Sequence, residues 1–160
     1  MTPTHQTVLA VSRQSLGMLK QAIGGLPDEA LDWVPAPNTN SLTVLVRHSM
    51  SSARFFYGVA SGRPGSAAEY RRGDRAEAFQ AQGGNAQTLV QAIDDFLPGL
   101  ESILAGGKEE HLSQMIGWPD EAPDMGTRTG MEVLIAGVGH LREHVGQAQL
   151  MRDLWLGRNS

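Results

Sequence analysis

The sequence predicts an all-α protein, a four-helix bundle with long connections, on three observations. Four stretches of the chain carry apolar residues at the three- and four-residue spacing of amphipathic helices. Each stretch begins beside a residue that can cap a helix, and a glycine or proline stands at its end. No stretch of useful length alternates apolar and polar residues as a half-buried strand would. Four amphipathic helices bury their apolar faces by packing against one another, which gives the bundle.

The first helix is predicted from about residue 3 to residue 24. Thr2 can cap it, and Pro3 suits the first helical position, because an N–H there would have no partner in the helix. A pair of glycines can close the helix in the left-handed conformation. The proline-rich segment that follows, LPDEALDWVPAPNTN, is predicted to be a connection packed by Trp33.

The second helix is predicted to begin after Asn40 or Ser41, either of which can cap it, and to end near Ala60. A glycine and a proline shortly after that residue act as its stop. Residues 63–84 are rich in Gly, Arg and Ala and are expected to be the least structured part of the chain. One short helical turn is predicted there, in DRAEAFQAQ.

The third helix is predicted in NAQTLVQAIDDFLPGLESILAGG, with Asn85 as its cap and a kink at Pro98. Residues 106–127 form a second irregular connection. The last helix is predicted to open with a capping box, because Thr129 stands three residues before Glu132. It can run unbroken to Gly157.

The length and the composition limit the class of protein. A chain of 160 residues fits one domain, taken as residues 1–160, which hides roughly 70% of its unfolded surface. Cysteine is absent, which excludes disulfides, zinc ribbons and thiol nucleophiles from this chain. Any metal must therefore be bound through nitrogen and oxygen.

The charge pattern argues against two classes of partner. The formal charge is −4, and the basic residues are scattered and do not form a stripe that could follow phosphates, so we expect no nucleic-acid partner. No apolar run approaches the eighteen or so residues of a membrane span, and the first residues lack the pattern of a signal peptide. The expectation is a cytoplasmic protein without a membrane partner.

Three histidines are predicted to face the core. Projected at 100° per residue, His140 and His144 fall on the same side of the last helix as Val133 and Met151, while the acidic and basic residues mark the opposite face. The same projection places His48 among the apolar residues of the second helix. Burying a histidine without a polar partner is costly, so three inward histidines need an explanation.

Metal binding is the explanation we favour. Side chains four residues apart on a helix have Cβ atoms about 5 to 6 Å apart, so His140 and His144 can reach one ion. His48 from a facing helix would complete a three-histidine cap and leave a position open for water or substrate. The rival interpretation is a metal-free bundle, because a single HxxxH spacing also arises by chance.

Other polar residues are weaker candidates. His5 lies on the core stripe of the first helix but near its start, where we expect a capping or surface role, and His111 lies in a connection and is expected to be solvated. The acidic residues of the third helix project off its apolar stripe, so a fourth protein ligand is not expected. No general base is evident, since Glu143 points away from the histidine pair and Tyr57 lies opposite His48.

Three segments together resemble the DinB/YfiT-like superfamily. They are "LPDEALDWVPAPNTN", "SLTVLVRHSMSSARFFYGVASG" and "HLREHVGQ", and the resemblance runs over nearly the whole chain. Members of that superfamily are four-helix bundles, often homodimeric, with a three-histidine site for a divalent metal. By the resemblance, His48, His140 and His144 match the metal ligands, and Gly146 and Gln147 match the GQ that often follows the last of them.

The resemblance implies a function only in outline. Characterised branches include transferases and isomerases that use bacillithiol, mycothiol or glutathione, in which the metal lowers the pKa of the thiol. We therefore expect a divalent ion (Zn, Ni, Mn or Fe), a small-molecule substrate, a homodimer and a low-molecular-weight thiol as a further cofactor. The site would activate that thiol or water for transfer, isomerisation or hydrolysis. The alternative is a non-catalytic, stress-related dimer that only binds a metal or another ligand.

Overall fold

Four long helices carry the fold, as predicted, in a computed structural model that describes residues 1–118 and 120–158. They are α1 (Pro3–Ile23), α3 (Leu42–Ala60), α6 (Ala86–Ala105) and α8 (Gly130–Gly157). Within the same residues, shorter helices lie in the connections: α2 (Asp28–Asp32), α4 (Ala67–Arg72), α5 (Asp74–Phe79) and α7 (Glu109–Ser113). None of the described helices is both long and apolar enough to cross a membrane.

The predicted helix starts are confirmed by their capping contacts. Ser41 Oγ accepts the Val44 N–H of α3, and Asn85 Oδ1 accepts two N–H groups at the start of α6. At the start of α8, Thr129 and Glu132 exchange both hydrogen bonds of a capping box. These contacts satisfy N–H groups that have no partner inside a helix, which is why the helices begin at these residues.

The helices pack with α8 against α1 and α3, and with α6 against the same two helices from the other side. The core consists of apolar side chains from all four long helices. At Gly137 of α8, an added Cβ would lie 2.7 Å from Tyr57 Cε1 and 3.0 Å from Phe56 Cβ. This glycine lets the first turns of α8 pack closely against the last turns of α3.

Two predictions about the connections are wrong. Residues 63–84 are not the least structured part of the chain, because α4 and α5 form in them. In the connection that was predicted to be irregular, residues 106–127, the structure has α7 and most of a small antiparallel hairpin. Its strands are β1 (Met115–Gly117) and β2 (Thr127–Thr129), and a 3₁₀ turn precedes β2. Three residues are too few for an alternating pattern to be recognised, so the sequence did not indicate the strands. The short helical turn predicted in DRAEAFQAQ is confirmed as α5, and α6 continues through Pro98.

Candidate metal centre

His48, His140 and His144 lie together between α3 and α8. The Nε2 atom of His140 is 3.0 Å from His48 Nε2 and 3.1 Å from His144 Nε2. One nitrogen from each ring lies within 4.8 Å of the other two. The prediction that the three rings face inward and converge is therefore confirmed.

The spacing of these nitrogens suits one small cation. An ideal tetrahedral ion with nitrogen bonds of about 2.0 to 2.1 Å has nitrogen–nitrogen edges of about 3.3 to 3.4 Å. The observed separations of 3.0 and 3.1 Å are only slightly shorter. A movement of a few tenths of an ångström per ring would admit the ion, so the three residues could hold it.

Gln147 orients one ring of the cluster. The Nδ1–H of His144 donates a hydrogen bond of 2.8 Å to Gln147 Oε1, a carbonyl oxygen that can only accept. This contact places the proton of neutral His144 on Nδ1 and leaves the Nε2 lone pair directed at the other two rings. Such a partner on the second ring nitrogen is usual for metal-binding histidines.

The His48 ring is buried with one polar atom unpartnered. Its side chain is 4% exposed, and Nδ1 has no hydrogen-bond partner among the described residues. Burial, with the nearby His144, His140 and Arg75, lowers the pKa of His48 to about 3. The pKa of His140 is also lowered, chiefly by burial and by His144. Both rings therefore stay neutral at physiological pH, which is the form that binds metal.

Residues of the connection between α3 and α6 cover the histidine cluster on one side, and the sequence patterns did not single them out. The Phe79 ring of α5 lies 4.6 Å from the His48 ring, measured between centroids. The Arg75 guanidinium carbon lies 4.5 Å from the centre of the Phe79 ring. A cation thus stands near the cluster, separated from His48 by an aromatic ring. A six-residue helix in a connection carries no signal that would assign it to this site.

His140 also borders a cavity of about 290 Å³, and residues of the connection between α6 and α8 form part of its wall. Phe56 of α3 and Trp118 contribute aromatic walls to it. The connection between α3 and α6 and the connection between α6 and α8 therefore flank the histidine cluster on different sides. Connections that shape a site carried by rigid helices are common in enzymes and binding proteins.

No carboxylate joins the three histidines among residues 1–118 and 120–158. Glu143 is exposed, and Tyr57 is fully buried with its hydroxyl 2.9 Å from Ser12 Oγ, so neither is placed to act as a general base at the cluster. The pKa of Tyr57 is raised by burial to about 12. A bound ion would keep at least one coordination position for a ligand from outside the chain.

The two remaining histidines lie outside this cluster. His5 contacts the capping residue Thr2, which agrees with one of its two expected roles and not with the surface role, whereas the prediction that His111 is solvated is wrong. His5 is fully buried: its Nδ1 lies 2.8 Å from Thr2 Oγ1, while Nε2 has no partner among the described residues and packs against Gly107. The His111 side chain is only 17% exposed, and its ring packs against Gly62. The burial of His111 results from contacts between distant parts of the chain, which helical periodicity does not report.

Comparisons with known proteins agree with this architecture. A sequence profile of the DinB superfamily matches residues 13–148. No curated protein shows significant similarity to the chain. A crystal structure of a conserved protein from Enterococcus faecalis is similar over 99% of both chains, with a TM-score of 0.73 and 19% sequence identity, which bears on the fold alone. Because the superfamily profile spans most of the sequence, the chain belongs to the DinB superfamily.

Proposed function

We propose that the protein is a divalent-metal-dependent enzyme in which His48, His140 and His144 bind the ion. The observation that carries the proposal is the convergence of three imidazole nitrogens from α3 and α8. Zn, Ni, Mn and Fe all accept imidazole ligands. The reaction would be transfer, isomerisation or hydrolysis, with a small-molecule thiol or water as the activated group.

The chemistry of the site follows from its donors. A divalent ion held there would lower the pKa of a coordinated thiol or water and so supply the nucleophile near neutral pH. The chain's own residues position and shield the site: Gln147 fixes the tautomer of His144, and Phe79 covers the His48 ring. No side chain of the described residues stands ready as a general base, which favours a mechanism that depends on a lowered nucleophile pKa.

A homodimer is part of the proposal. Ile135, Leu150 and Leu154 of α8 are large apolar side chains that are 54%, 59% and 46% exposed. They fall within an arc of about 100° of the helix surface. A surface of this kind is typical of contacts between proteins. In size-exclusion chromatography we expect Leu150→Glu to elute as a monomer, whereas Met115→Glu, a change at another exposed apolar residue, should leave the dimer intact.

The test of the metal site is elemental analysis of the purified protein. We expect one divalent ion per chain in the wild type, at most a tenth of that in His140→Ala, and wild-type content in His111→Ala, the matched control outside the cluster. Equal metal content in the wild type and His140→Ala would overturn the assignment.

A second measurement separates catalysis from a non-catalytic metal site. The protein is loaded with cobalt, and its visible spectrum is recorded with and without added thiol or azide. An open coordination position predicts a change of the spectrum with either probe. An unchanged spectrum would contradict an enzyme of this kind and favour the non-catalytic alternative.

A further inference from the structure

The cavity beside His140 is large enough for a small organic ligand. Its volume of about 290 Å³ is close to the lower end of the range for ligand pockets, which begins near 300 Å³. The lining follows one face of α8 from His140 through Ala136 to Val133. Seven residues of helix correspond to a length of about 10 Å.

Most of the cavity wall is apolar. Phe56 and Trp118 supply aromatic surface, and Ala136 and Val133 supply aliphatic surface. The Trp118 ring is fixed in place, because its Nε1–H donates a hydrogen bond of 2.9 Å to the carbonyl oxygen of Gly65. A wall of this composition favours an apolar ligand body over water.

The two charged residues of the lining differ in their partners. Asp124 is paired with Arg71, whose Nη2 lies 2.6 Å from its carboxylate. The Arg128 side chain forms no ion pair or hydrogen bond with any residue in the described part of the chain. The adjacent Glu132 is occupied, because its Oε2 accepts the N–H and the hydroxyl of Thr129 at 2.7 and 2.8 Å.

Arg128 stands at the end of the cavity remote from the histidines. It belongs to β2 and precedes the first residue of α8 by two positions. Gly130 and His140 are ten positions apart, which corresponds to about 15 Å of helix. The cavity therefore has the histidine cluster at one end, an apolar middle and a guanidinium at the other end.

We propose that this cavity binds a small organic acid with an apolar body, whose carboxylate pairs with Arg128 while its other end reaches the histidine cluster. The inference rests on the proposed function, since it names the substrate class of the same site. The site offers one guanidinium, that of Arg128, and the carboxylates of Asp124 and Glu132 lie nearby, so a ligand with a single negative charge suits it. A phosphate dianion would need more cations and would be repelled by Asp124 and Glu132.

The test compares an acid with an uncharged analogue of the same shape. Calorimetric titration measures the affinity of 3-phenylpropionate and of 3-phenylpropanol for the wild type, both after chelator treatment and after zinc loading. In both states we expect the acid to bind about tenfold or more tightly than the alcohol, because a hydrogen bond to a charged group is stronger than one to a neutral group.

Three variants locate the site. Arg128→Gln should bind the acid and the alcohol equally, whereas Arg75→Gln, at the arginine near the histidines, should keep the preference for the acid. Ala136→Leu should bind neither probe, because the larger side chain fills the cavity. Arg128 is exposed, so its exchange leaves the core intact, and circular dichroism checks the fold of Ala136→Leu.

Three results would overturn the inference: no binding of the acid to the wild type, equal affinities for acid and alcohol, or a preference that survives in Arg128→Gln. Loss of the preference in Arg75→Gln alone would assign the acid to a different cation and would also overturn it. A failure of the proposed metal function is recognised separately. It would appear as absent metal in the wild type, with the preference of the chelator-treated protein for the acid unchanged.

Discussion

Replacing Gly137 by alanine tests how closely α8 must approach α3. An added Cβ at this residue would lie 2.7 Å from Tyr57 Cε1, a distance that real Cβ atoms essentially never show. The Tyr57 ring cannot turn aside freely, because it is fully buried and its hydroxyl is hydrogen-bonded to Ser12. Gly139 is the matched control: it lies two residues later on the same helix, and an added Cβ there meets no described atom within 4 Å.

Two opposing effects set the magnitude. Alanine is about 0.8 to 1.0 kcal/mol more favourable than glycine inside a helix. Forcing an extra methyl group into a well-packed core costs about 1 to 3 kcal/mol. We therefore expect Gly139→Ala to raise the free energy of unfolding by about 1 kcal/mol. Gly137→Ala should fall below Gly139→Ala by about 1 to 3 kcal/mol.

Urea unfolding of the chelator-treated proteins measures this difference. Zinc affinity, measured by competition with a chromophoric chelator, is the second readout, since a wider separation of α3 from α8 moves His48 away from His140. We expect weaker zinc binding in Gly137→Ala and unchanged binding in Gly139→Ala. Equal stabilities for the two variants would refute the reasoning that α8 and α3 are in contact at Gly137.

Three more predictions concern single contacts. Gln147→Leu should weaken zinc binding by about 10- to 100-fold in the same chelator competition, whereas Gln147→Glu, which keeps an acceptor for His144, should weaken it less. Burial lowers the pKa of His5 below 6.5, so the unfolded chain binds more protons than the folded chain as the pH falls. The free energy of unfolding should therefore decrease as the pH drops below 6.5, and it should decrease less in His5→Gln. Urea unfolding midpoints at pH 7 and pH 5 measure this difference. Arg152 Nη1 donates to two carbonyl oxygens at the end of α1, at 2.7 and 3.1 Å. Arg152→Met should therefore cost about 1.5 to 3 kcal/mol in urea unfolding, and Arg47→Met, at an exposed arginine of α3, close to nothing.

The sequence predicted those features that depend on neighbouring residues. Helix starts depend on contacts within one turn, which is why the roles of Ser41, Asn85 and Thr129 could be predicted. The inward orientation of the histidines depends only on the angular period of a helix and on where the apolar residues lie. His48 and His140 are 92 residues apart in the chain, yet separate helical projections of α3 and α8 were enough to predict that both face the core.

The surroundings of the site could not be predicted, because they depend on contacts between distant segments. Phe79 contacts His48, and Arg75 lies over the Phe79 ring; both belong to a helix of six residues, which is too short to show a periodic face. The His5 ring packs against Gly107, which follows the end of α6, and this contact could not be read from the first helix alone. Local patterns report which face of an element is apolar, but they do not report which element covers it.

The three-histidine cluster also bears on how the chain stays folded. An ion held between His48 and His140 would act as a reversible cross-link that closes a loop of 92 residues in a protein without cysteines. A covalent bridge across a loop of that size adds roughly 4 to 5 kcal/mol in the chain-entropy description. Metal supply would then govern the lifetime of the folded state as well as the proposed activity, and a metal-starved cell would hold a pool of chains that unfold sooner and reach its proteases first.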